Sequence, residues 1–528
     1  MDRDDDDLWL NTNYGKPDYV WGTDYRFVFL RPRNSHQLVK AKLPLRAVSL
    51  WYIACMALRL TSYGGAGKVT GSNFLIEGTK GRVLVDCGIE QGADVAEAEA
   101  YGPFPYEAAS IDALVITHAH LDHIGRIPKL VKDGFRGKIY MTPPTKDLAE
   151  LILNDSVTIL GQDAARRGEN PLYESKDVAH TFALIETLEY HVEKEVAPGI
   201  SIYLRNTGHI LGSASVRMTD EDGTTLALTG DIGNSPSPLL PNWEPITDAD
   251  ALLMESVYGN RLHPAHTERV ARLRDVFKHA IERGGTILVP AFSLERTQLM
   301  LYELSNFFEA GELPRIPVYL DSPLAIHVTA VYEKWGPTYF KPEAEEEMKR
   351  ETSLFDFPFL TKTLSHEESA KIEEVKGTKI IIAGAGMSHG GRIGRWEAEY
   401  LPDASTTLII VGYQAPGSPG RRMAEGAPSV RLNGRDVINK AHVEILEGWS
   451  AHADRDQLLS FAEKALAGKR TKAIFVGLGE PAAERFLAQR IHDYLLPQDS
   501  RRGVRRRVII PALGETWEIT KEGVKNLS

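Results

Sequence analysis

The stretch VITHAHLDHIGRIP at residues 115–128 decides the fold, because it places four metal-binding side chains directly after an apolar run. His118, His120, Asp122 and His123 follow the pattern H-x-H-x-D-H. A strand that ends just before this pattern and turns into a helix would point imidazole nitrogens and a carboxylate at neighbouring cations. Ordinary loop or helix composition does not explain this spacing, so it predicts a metal site at a strand end.

A site for two metal ions needs further ligands, because such ions lie about 3.5–4 Å apart and usually share a bridging carboxylate. Three more candidates end apolar strands elsewhere in the chain: Asp86 in VLVDCG, His209 in TGHILGSA and Asp231 in LTGDIG. Each alone is also explained as a turn-forming aspartate or a structural histidine. Together, in this order, they predict a two-metal centre.

The composition is that of a globular chain. Its 528 residues are 43% hydrophobic and 25% charged, which leaves room for two or more domains. The two cysteines, Cys55 and Cys87, cannot form a disulfide framework, so we expect a reducing, cytoplasmic setting and a metal site built from histidine and carboxylate ligands. The net charge of −11 argues against a broad basic nucleic-acid surface, but not against a nuclease with bound divalent ions.

Sequence patterns divide the chain into four parts and predict an α/β fold. Residues 1–55 open with MDRDDDD and form an N-terminal extension, either a lineage-specific arm or an upstream mis-start. Their apolar run AVSLWYIACMAL is shorter than the roughly 20 residues of a membrane span, so no membrane association is expected. Residues 56–258 and 438–528 are strand-rich. Between them, residues 259–437 repeat strand, loop and helix, which predicts an inserted domain with a parallel sheet.

The ordered metal-binding motifs resemble those of the metallo-β-lactamase superfamily, from about Met56 to near the C-terminus. The resemblance implies an αββα sandwich, formed by residues 56–258 and 438–528, with two zinc ions at one edge. It implies that the first zinc is held by His118, His120 and His209, the second by Asp122 and His123, and both by a bridging Asp231. Asp86 would steady the ligands instead of binding metal itself.

The motifs after Asp231 are similar to those of the β-CASP nuclease group, which includes RNase J and the endonuclease of pre-mRNA 3′-end cleavage. They are MESVYGNRLHP, VPAFSLERTQ, VYLDSPLA, GAGMSHGGR and VGYQAPGS. The resemblance implies that residues 259–437 form a β-CASP cap domain that closes over the metal site as a nucleic-acid cleft. Glu255 matches the group's motif A and His452 its motif B. Without recognisable added modules, the chain looks more like the compact bacterial 3′-end-endonuclease-like members than like RNase J.

One motif departs from the group's pattern. Where the group has His-Gly-Glu at motif C, this chain has Leu478 in IFVGLGEPAAE. A leucine cannot bind zinc, so the second ion would lose a nitrogen ligand. Water or Glu480 would replace that ligand, or the site would work with one tight and one labile ion. Group members that act on DNA also have an aliphatic residue here, so the choice between RNA and DNA stays open.

Three cap side chains are candidates for contacts with substrate phosphate. Ser388 and Arg392 lie in or beside the glycine-rich stretch GAGMSHGGR, whose backbone amides could cradle a phosphate at a helix N-terminus. A glycine-rich turn without a ligand explains the stretch equally well. Arg296 in FSLERTQ is the third candidate, with pairing to an acidic neighbour as the favoured alternative.

These features predict a zinc-dependent ribonuclease that cleaves single-stranded RNA endonucleolytically through a metal-activated hydroxide. In-line attack would leave 5′-phosphate and 3′-hydroxyl ends, with His452, oriented by Glu255, as proton donor to the leaving oxygen. Leu478 also favours two alternatives: a DNA-directed nuclease of the same group, or a catalytically impaired RNA-binding partner. A small-molecule hydrolase is disfavoured by the long cap. A homodimer is compatible with the sequence.

Overall fold

The computed structural model describes two strands of the N-terminal region and residues 57–90, 101–350, 353–412, 414–415, 417–468, 470–496 and 506–528. It divides into two compact units, Met1–Ala57 and Leu58–Ser528. Apart from the two strands, the predicted extension at residues 1–55 lies outside the described residues.

The strands and helices of the described residues have the following bounds. The strands are β1 (Val28–Leu30), β2 (Val39–Ala41), β3 (Leu58–Ser62), β4 (Phe74–Glu77), β5 (Arg82–Val85), β6 (Ala113–Val115), β7 (Lys138–Met141), β8 (Ile185–Thr187), β9 (Glu193–Ala197), β10 (Ile200–Asn206), β11 (Ala214–Asp220), β12 (Thr225–Leu228), β13 (Ala251–Met254), β14 (Thr286–Pro290), β15 (Val318–Leu320), β16 (Leu360–Lys362), β17 (Lys379–Ala383), β18 (Thr407–Val411), β19 (Ser429–Leu432), β20 (Arg435–Ile438), β21 (His442–Leu446), β22 (Ala473–Val476), β23 (Arg507–Ile509), β24 (Thr516–Ile519) and β25 (Val524–Asn526). The α-helices are α1 (Leu121–Ile124), α2 (Ile127–Lys132), α3 (Pro143–Arg167), α4 (Ser175–Leu184), α5 (His266–Arg283), α6 (Arg296–Glu309), α7 (Pro323–Tyr339), α8 (Pro342–Arg350), α9 (His366–Lys371), α10 (Gly391–Tyr400), α11 (Pro419–Ala424), α12 (Arg455–Ala467) and α13 (Pro481–Arg490). The first unit contains β1 and β2, which pair antiparallel.

Two mixed sheets form a sandwich in the second unit. One has the strand order β25-β24-β3-β4-β5-β6-β7-β8 and the other β23-β22-β13-β12-β11-β10-β9. In β10, buried side chains alternate with partly exposed ones, because successive residues of a strand point to opposite faces of the sheet. The buried side chains of this strand, including Ile200, Ile202 and Leu204, pack against Leu60 and Val83 of the facing sheet. The inner faces of the two sheets therefore share one apolar core.

Helices cover both outer faces of the sandwich. On the eight-stranded sheet, Leu148 of α3 packs in one core with Leu114 of β6. On the seven-stranded sheet, Phe461 of α12 and Leu487 of α13 pack with Leu252 of β13. This layering is the αββα sandwich that the sequence predicted.

A separate six-stranded parallel sheet forms the cap, in the order β16-β15-β17-β14-β18-β21. Its central strand β17, KIIIA, is buried along its whole length, as expected for a parallel sheet with helices on both faces. Helices α6 and α10 lie on opposite faces, because Leu304 packs with Ile287 and Trp396 packs with Leu288. Since β21 pairs with β18, we propose that the cap extends beyond the sequence-based boundary at residue 437.

The cap is attached to the sandwich through helices α3 and α7. Lys334 Nζ and Trp335 Nε1 lie 2.6 and 2.8 Å from Asp147 Oδ2. This contact helps to place the cap over the edge of the sandwich. Among the residues that the structure describes, no helix has the length and apolar character required to cross a membrane.

Candidate metal centre and active site

Four strands bring the sequence-predicted side chains to one edge of the sandwich. Asp86 and Glu255 follow β5 and β13 directly, and Asp231 comes three residues after β12. The H-x-H-x-D-H pattern follows β6, with its Asp122 in the short helix α1. The pairs β5–β6 and β12–β13 are both parallel, so their carboxyl ends open toward one edge within each sheet.

Two glycines permit the close backbone approaches that this site requires. A Cβ atom on Gly88 would lie 1.5 Å from the backbone oxygen of Asp122. A Cβ atom on Gly230 would lie 2.7 Å from Cβ of Thr117, and Gly230 has a φ of 57°, where side chains are strained. Side chains at these positions would displace the segments that carry Asp122 and Asp231.

Four of the predicted ligands converge. One ligand atom from each of His118, His120, His209 and Asp231 lies within 4.8 Å of the others. Nδ1 of His120 is 3.0 Å from Nε2 of His118 and 3.2 Å from Nε2 of His209. Three imidazole nitrogens and one carboxylate oxygen around a common point are a donor set that suits zinc.

The carboxylate of Asp231 faces two groups of ligands. Its Oδ2 atom lies 3.4 Å from Nε2 of His118 and 3.3 Å from Nε2 of His209. Its Oδ1 atom lies 3.5 Å from Nε2 of His123, which is in turn 3.8 Å from Oδ2 of Asp122. Asp231 therefore stands where a carboxylate could join two metal positions.

The protonation of the three clustered histidines His118, His120 and His209 fits cation binding. Burial and the neighbouring histidines lower the pKa of His118 and His209 well below the usual value, and that of His120 to about 3. These rings are neutral at pH 7, so their lone pairs are free for a metal. Burial raises the pKa of Asp231 to about 7, because a buried carboxylate is costly to ionise. A bound cation would remove this cost by stabilising the charged form. The buried Nε2 atom of His123 has no hydrogen-bond partner among the described residues.

A layer of hydrogen bonds holds the metal-facing rings. Asp86 Oδ2 lies 2.7 Å from Nδ1 of His123 and accepts a hydrogen bond from Ser72 Oγ at 2.9 Å. The backbone N–H of Thr117 donates to Asp86 Oδ1 at 2.9 Å, and Thr117 Oγ1 lies 3.0 Å from Nδ1 of His118. Neither Thr117 nor Ser72 was among the side chains that the sequence predicted for the site. The position of Thr117 at the end of β6, directly before His118, is the one local signal that could have found it.

His452 lies beside this centre and is paired with Glu255. Its Nδ1 atom is 3.3 Å from Glu255 Oε1 and 3.8 Å from Asp231 Oδ2. Backbone N–H groups of Ile232 and Val257 donate to the Glu255 carboxylate at 2.6 and 3.2 Å, which fixes its orientation. Burial opposes a charge on His452, but Glu255 and Asp231 outweigh it and raise the pKa of His452 to about 9. This ring therefore holds a proton at neutral pH.

Leu478 is a core residue. Its side chain is 1% exposed and belongs to the apolar core between the two sheets. It packs against the loop after β3, because a Cβ atom on Gly65 would lie 2.6 Å from Leu478 Cδ2. Glu480, the alternative ligand considered from the sequence, is the N-cap residue of α13. Neither residue is part of the metal-ligand groups found in the described chain.

Two of the three phosphate candidates, Ser388 and Arg392, make contacts within the cap. Ser388 is buried and its hydroxyl donates to Glu397 Oε1 at 2.5 Å. Arg392 is held by Asp321 at 2.5 Å and by the carbonyl oxygen of Leu364 at 2.6 Å. Both side chains therefore hold cap loops together in this structure, and their contact with substrate phosphate stays a prediction.

Comparison with known proteins agrees with this architecture. Residues 66–291 match the metallo-beta-lactamase superfamily and residues 297–423 match the Beta-Casp domain. The chain is 34% identical over 407 residues to Ribonuclease TTHA0252 of Thermus thermophilus, covering 77% of this chain and 91% of that protein. It is 32% identical to the transcription termination factor FttA of Methanosarcina mazei, covering 83% of this chain and 69% of that protein.

A second FttA, from Pyrococcus horikoshii, is 33% identical and covers 82% of this chain and 68% of that protein. A crystal structure of a protein of unknown function from Enterococcus faecalis V583 has a TM-score of 0.50 and 12% identity, covering 88% of this chain and all of that one. This last likeness concerns the fold alone. The fold and the relatives define a class of metal-dependent hydrolases: this chain belongs to the metallo-β-lactamase superfamily and, within it, to the β-CASP nucleases.

Proposed function

We propose that this protein is a zinc-dependent ribonuclease that cleaves single-stranded RNA endonucleolytically, leaving 5′-phosphate and 3′-hydroxyl ends. The first zinc would be held by His118, His120 and His209, and the second by Asp122 and His123, with Asp231 bridging both. Asp86 would hold His123 in place through its hydrogen bond.

The observation that carries this proposal is the position of Asp231 between two sets of ligands. Its two oxygens lie within 3.5 Å of histidine nitrogens on either side. A structural zinc site is closed by four protein ligands and has no use for a second set of donors. Donors on both sides of one carboxylate support a two-metal hydrolytic centre.

Zinc ions bound here would polarise the substrate phosphate and provide a deprotonated water as nucleophile at neutral pH. The protein's own groups would handle the leaving oxygen. His452 carries a proton at neutral pH and lies at the edge of the centre, so it is the candidate general acid. Glu255, fixed by two backbone N–H groups, would orient the ring and keep it protonated.

RNA is favoured as the substrate by the relatives. One of them is a ribonuclease by name and two are transcription termination factors. The cap beside the metal centre also favours a polymer over a small molecule, because a cleft between two domains can bind an extended strand.

A binding role without catalysis is the second candidate, and the position of Leu478 favours it. With an apolar side chain in the core at that place, the second metal would rely on Asp122, His123 and Asp231 alone. Fewer nitrogen ligands would weaken zinc at this position. A chain that retains one zinc would bind RNA and cleave it poorly.

The test is zinc content per chain by elemental analysis, together with cleavage of end-labelled single-stranded RNA and DNA of the same sequence. We expect about two zinc ions, cleavage of RNA, and loss of both second zinc and cleavage in Asp231→Asn. Asp112→Asn, an exposed aspartate outside the site, is the matched control. One zinc and no cleavage until Leu478→His is introduced would instead establish the binding role, and preferential cleavage of the DNA strand would establish a DNA-directed nuclease.

A further inference from the structure

Arg296, the first residue of α6, is a buried cation whose guanidinium is only partly hydrogen-bonded within the described residues. The residue is 6% exposed, and its Nε and Nη1 atoms have no hydrogen-bond partner in the described parts of the chain. Among these residues no carboxylate forms an ion pair with its guanidinium group, so the acidic pairing considered from the sequence is not formed. A buried charged group with unsatisfied hydrogen-bond donors is costly, and an anionic ligand that accepts from them would lower this cost.

The neighbouring acid compensates the charge of Arg296 only in part. The Glu295 carboxylate accepts a hydrogen bond from Tyr332 at 2.5 Å, and burial raises the pKa of Glu295 to about 7. Burial lowers the pKa of Arg296 to about 10, which still leaves the guanidinium charged at neutral pH. Two nitrogens of a charged guanidinium therefore still lack an acceptor, which an anionic ligand would supply.

Arg296 stands next to the metal centre. Glu295 lines the same cavity as the metal-facing His209. The charge of Arg296 also contributes, after burial and two histidines, to the low pKa of His120. On the cap side, a Cβ atom on Gly412 would lie 3.4 Å from Cζ of Arg296, so the backbone of the cap covers the guanidinium there. Arg296 thus lies where the cap meets the metal centre.

Phe292 provides an exposed aromatic ring in the same loop. It is 40% exposed, although phenylalanine is among the residues most often buried. A Cβ atom on Gly386 would lie 2.6 Å from Cδ2 of this ring, so the ring rests on the backbone of the glycine-rich loop and its remaining surface is open. The carbonyl oxygen of Phe292 accepts hydrogen bonds from the N–H and the hydroxyl of Thr297, at 3.2 and 2.8 Å. These bonds fix the backbone of Phe292 against the first turn of α6, which Arg296 begins.

We propose that Arg296 binds a backbone phosphate of the substrate and that Phe292 stacks on an unpaired base near that phosphate. The two residues form a subsite of the cap that selects single-stranded over double-stranded nucleic acid. A guanidinium fork matches two phosphate oxygens, and a base can lie on an exposed aromatic ring only where it is free of its complement. The inference rests on the proposed nuclease function and specifies how its substrate is held.

The experiment uses chemical changes in the RNA paired with changes in the protein. Binding of a fluorescent single-stranded RNA is measured by anisotropy, with an abasic site or a neutral methylphosphonate placed at each position in turn. We expect Phe292→Ala to weaken binding of the intact RNA about 5- to 100-fold, the range of a single stacked base. At one position, the abasic RNA should bind equally weakly to Phe292→Ala and to the unaltered protein, because both changes remove the same contact.

The same logic applies to Arg296 and the methylphosphonates. One neutral linkage should weaken binding to the unaltered protein and should have no further effect in Arg296→Gln. Arg296→Lys keeps the charge but loses the planar guanidinium, so its affinity for the RNA should be only slightly higher than that of Arg296→Gln. The methylphosphonate scan of the unaltered protein detects the contact even where a variant fails to fold. Tyr494→Ala and Arg272→Gln, both at exposed side chains outside the cap loops, are matched controls expected to bind normally.

Two results would overturn the inference. In the first, the loss of affinity from the RNA change multiplies with the loss from the protein change at every position of the RNA. In the second, Phe292→Ala and the unaltered protein bind the intact strand with equal affinity. Failure of the proposed function would look different. In that case the unaltered protein would bind the RNA with the same abasic and methylphosphonate pattern but would cleave neither RNA nor DNA when loaded with zinc.

Discussion

Oδ2 of Asp86 lies 2.7 Å from Nδ1 of His123, and this contact directs the other ring nitrogen of His123 toward Asp231 and Asp122. Asp86 is itself fixed by Ser72 and by the backbone of Thr117. A carboxylate behind a metal-facing histidine sets the tautomer of the ring and increases its basicity. In the proposed two-zinc site, the second metal position would therefore depend on a residue that binds no metal.

Asp86→Asn should lower the affinity for the second zinc about 10- to 100-fold, because the amide keeps the shape but not the charge behind His123. Competition with a chromophoric chelator would measure the two zinc affinities separately. The first zinc should change little. Asp133→Asn, an aspartate outside the site that pairs with Lys129, is the control. Equal zinc affinities in Asp86→Asn and the unaltered protein would contradict the dependence.

His452→Ala should slow RNA cleavage about 10²- to 10⁴-fold, the usual contribution of a general acid, while zinc content stays the same. The loss should be much smaller on a phosphodiester with a p-nitrophenolate leaving group, which departs without a proton. The ratio of rates on the two substrates is the measurement. His442→Ala, at an exposed histidine that pairs with Glu444, should leave the ratio unchanged. Equal losses on both substrates would argue for a structural role.

Glu255→Gln should lower the pKa of His452 in the metal-free protein from about 9, because Glu255 is the largest of the contributions that raise it. The folded-state pKa lies above the usual histidine value near 6.5, so this pair stabilises the fold fully below about pH 6.5 and the stabilisation is lost as the pH rises through about 9. NMR titration of the ring in the two proteins measures the shift. Denaturant unfolding at pH 6 and pH 9.5 checks the sign, since the variant should lose this pH dependence. An unchanged titration midpoint would rule out the pairing.

The sequence was sufficient to predict the features that depend on motif spacing and on where strands end. The histidines of the H-x-H-x-D-H pattern follow a strand, and strand ends of both sheets bring Asp86 and Asp231 to them, so the sandwich and the convergence of these side chains could be predicted. Long-range packing could not be predicted in this way. The contact of Ser72 with Asp86 joins residues 14 apart in the chain. Nothing in the sequence indicated that Ser388 would be buried against Glu397, or that Nε and Nη1 of Arg296 would lack a hydrogen-bond partner among the described residues.

Leu478→Ala should destabilise the metal-free protein by about 2–5 kcal/mol, the usual cost of truncating a fully buried leucine. The reason is that the side chain packs in the core between the sheets, with Phe74 and the loop around Gly65. Urea unfolding in the presence of a chelator is the measurement. Leu262→Ala, at a leucine that is 52% exposed, should cost almost nothing. A loss of unfolding free energy below about 1 kcal/mol in Leu478→Ala, together with a change in zinc content, would mean that the Leu478 side chain faces the metal site. Leu478 itself would then be the cause of weaker binding of the second zinc.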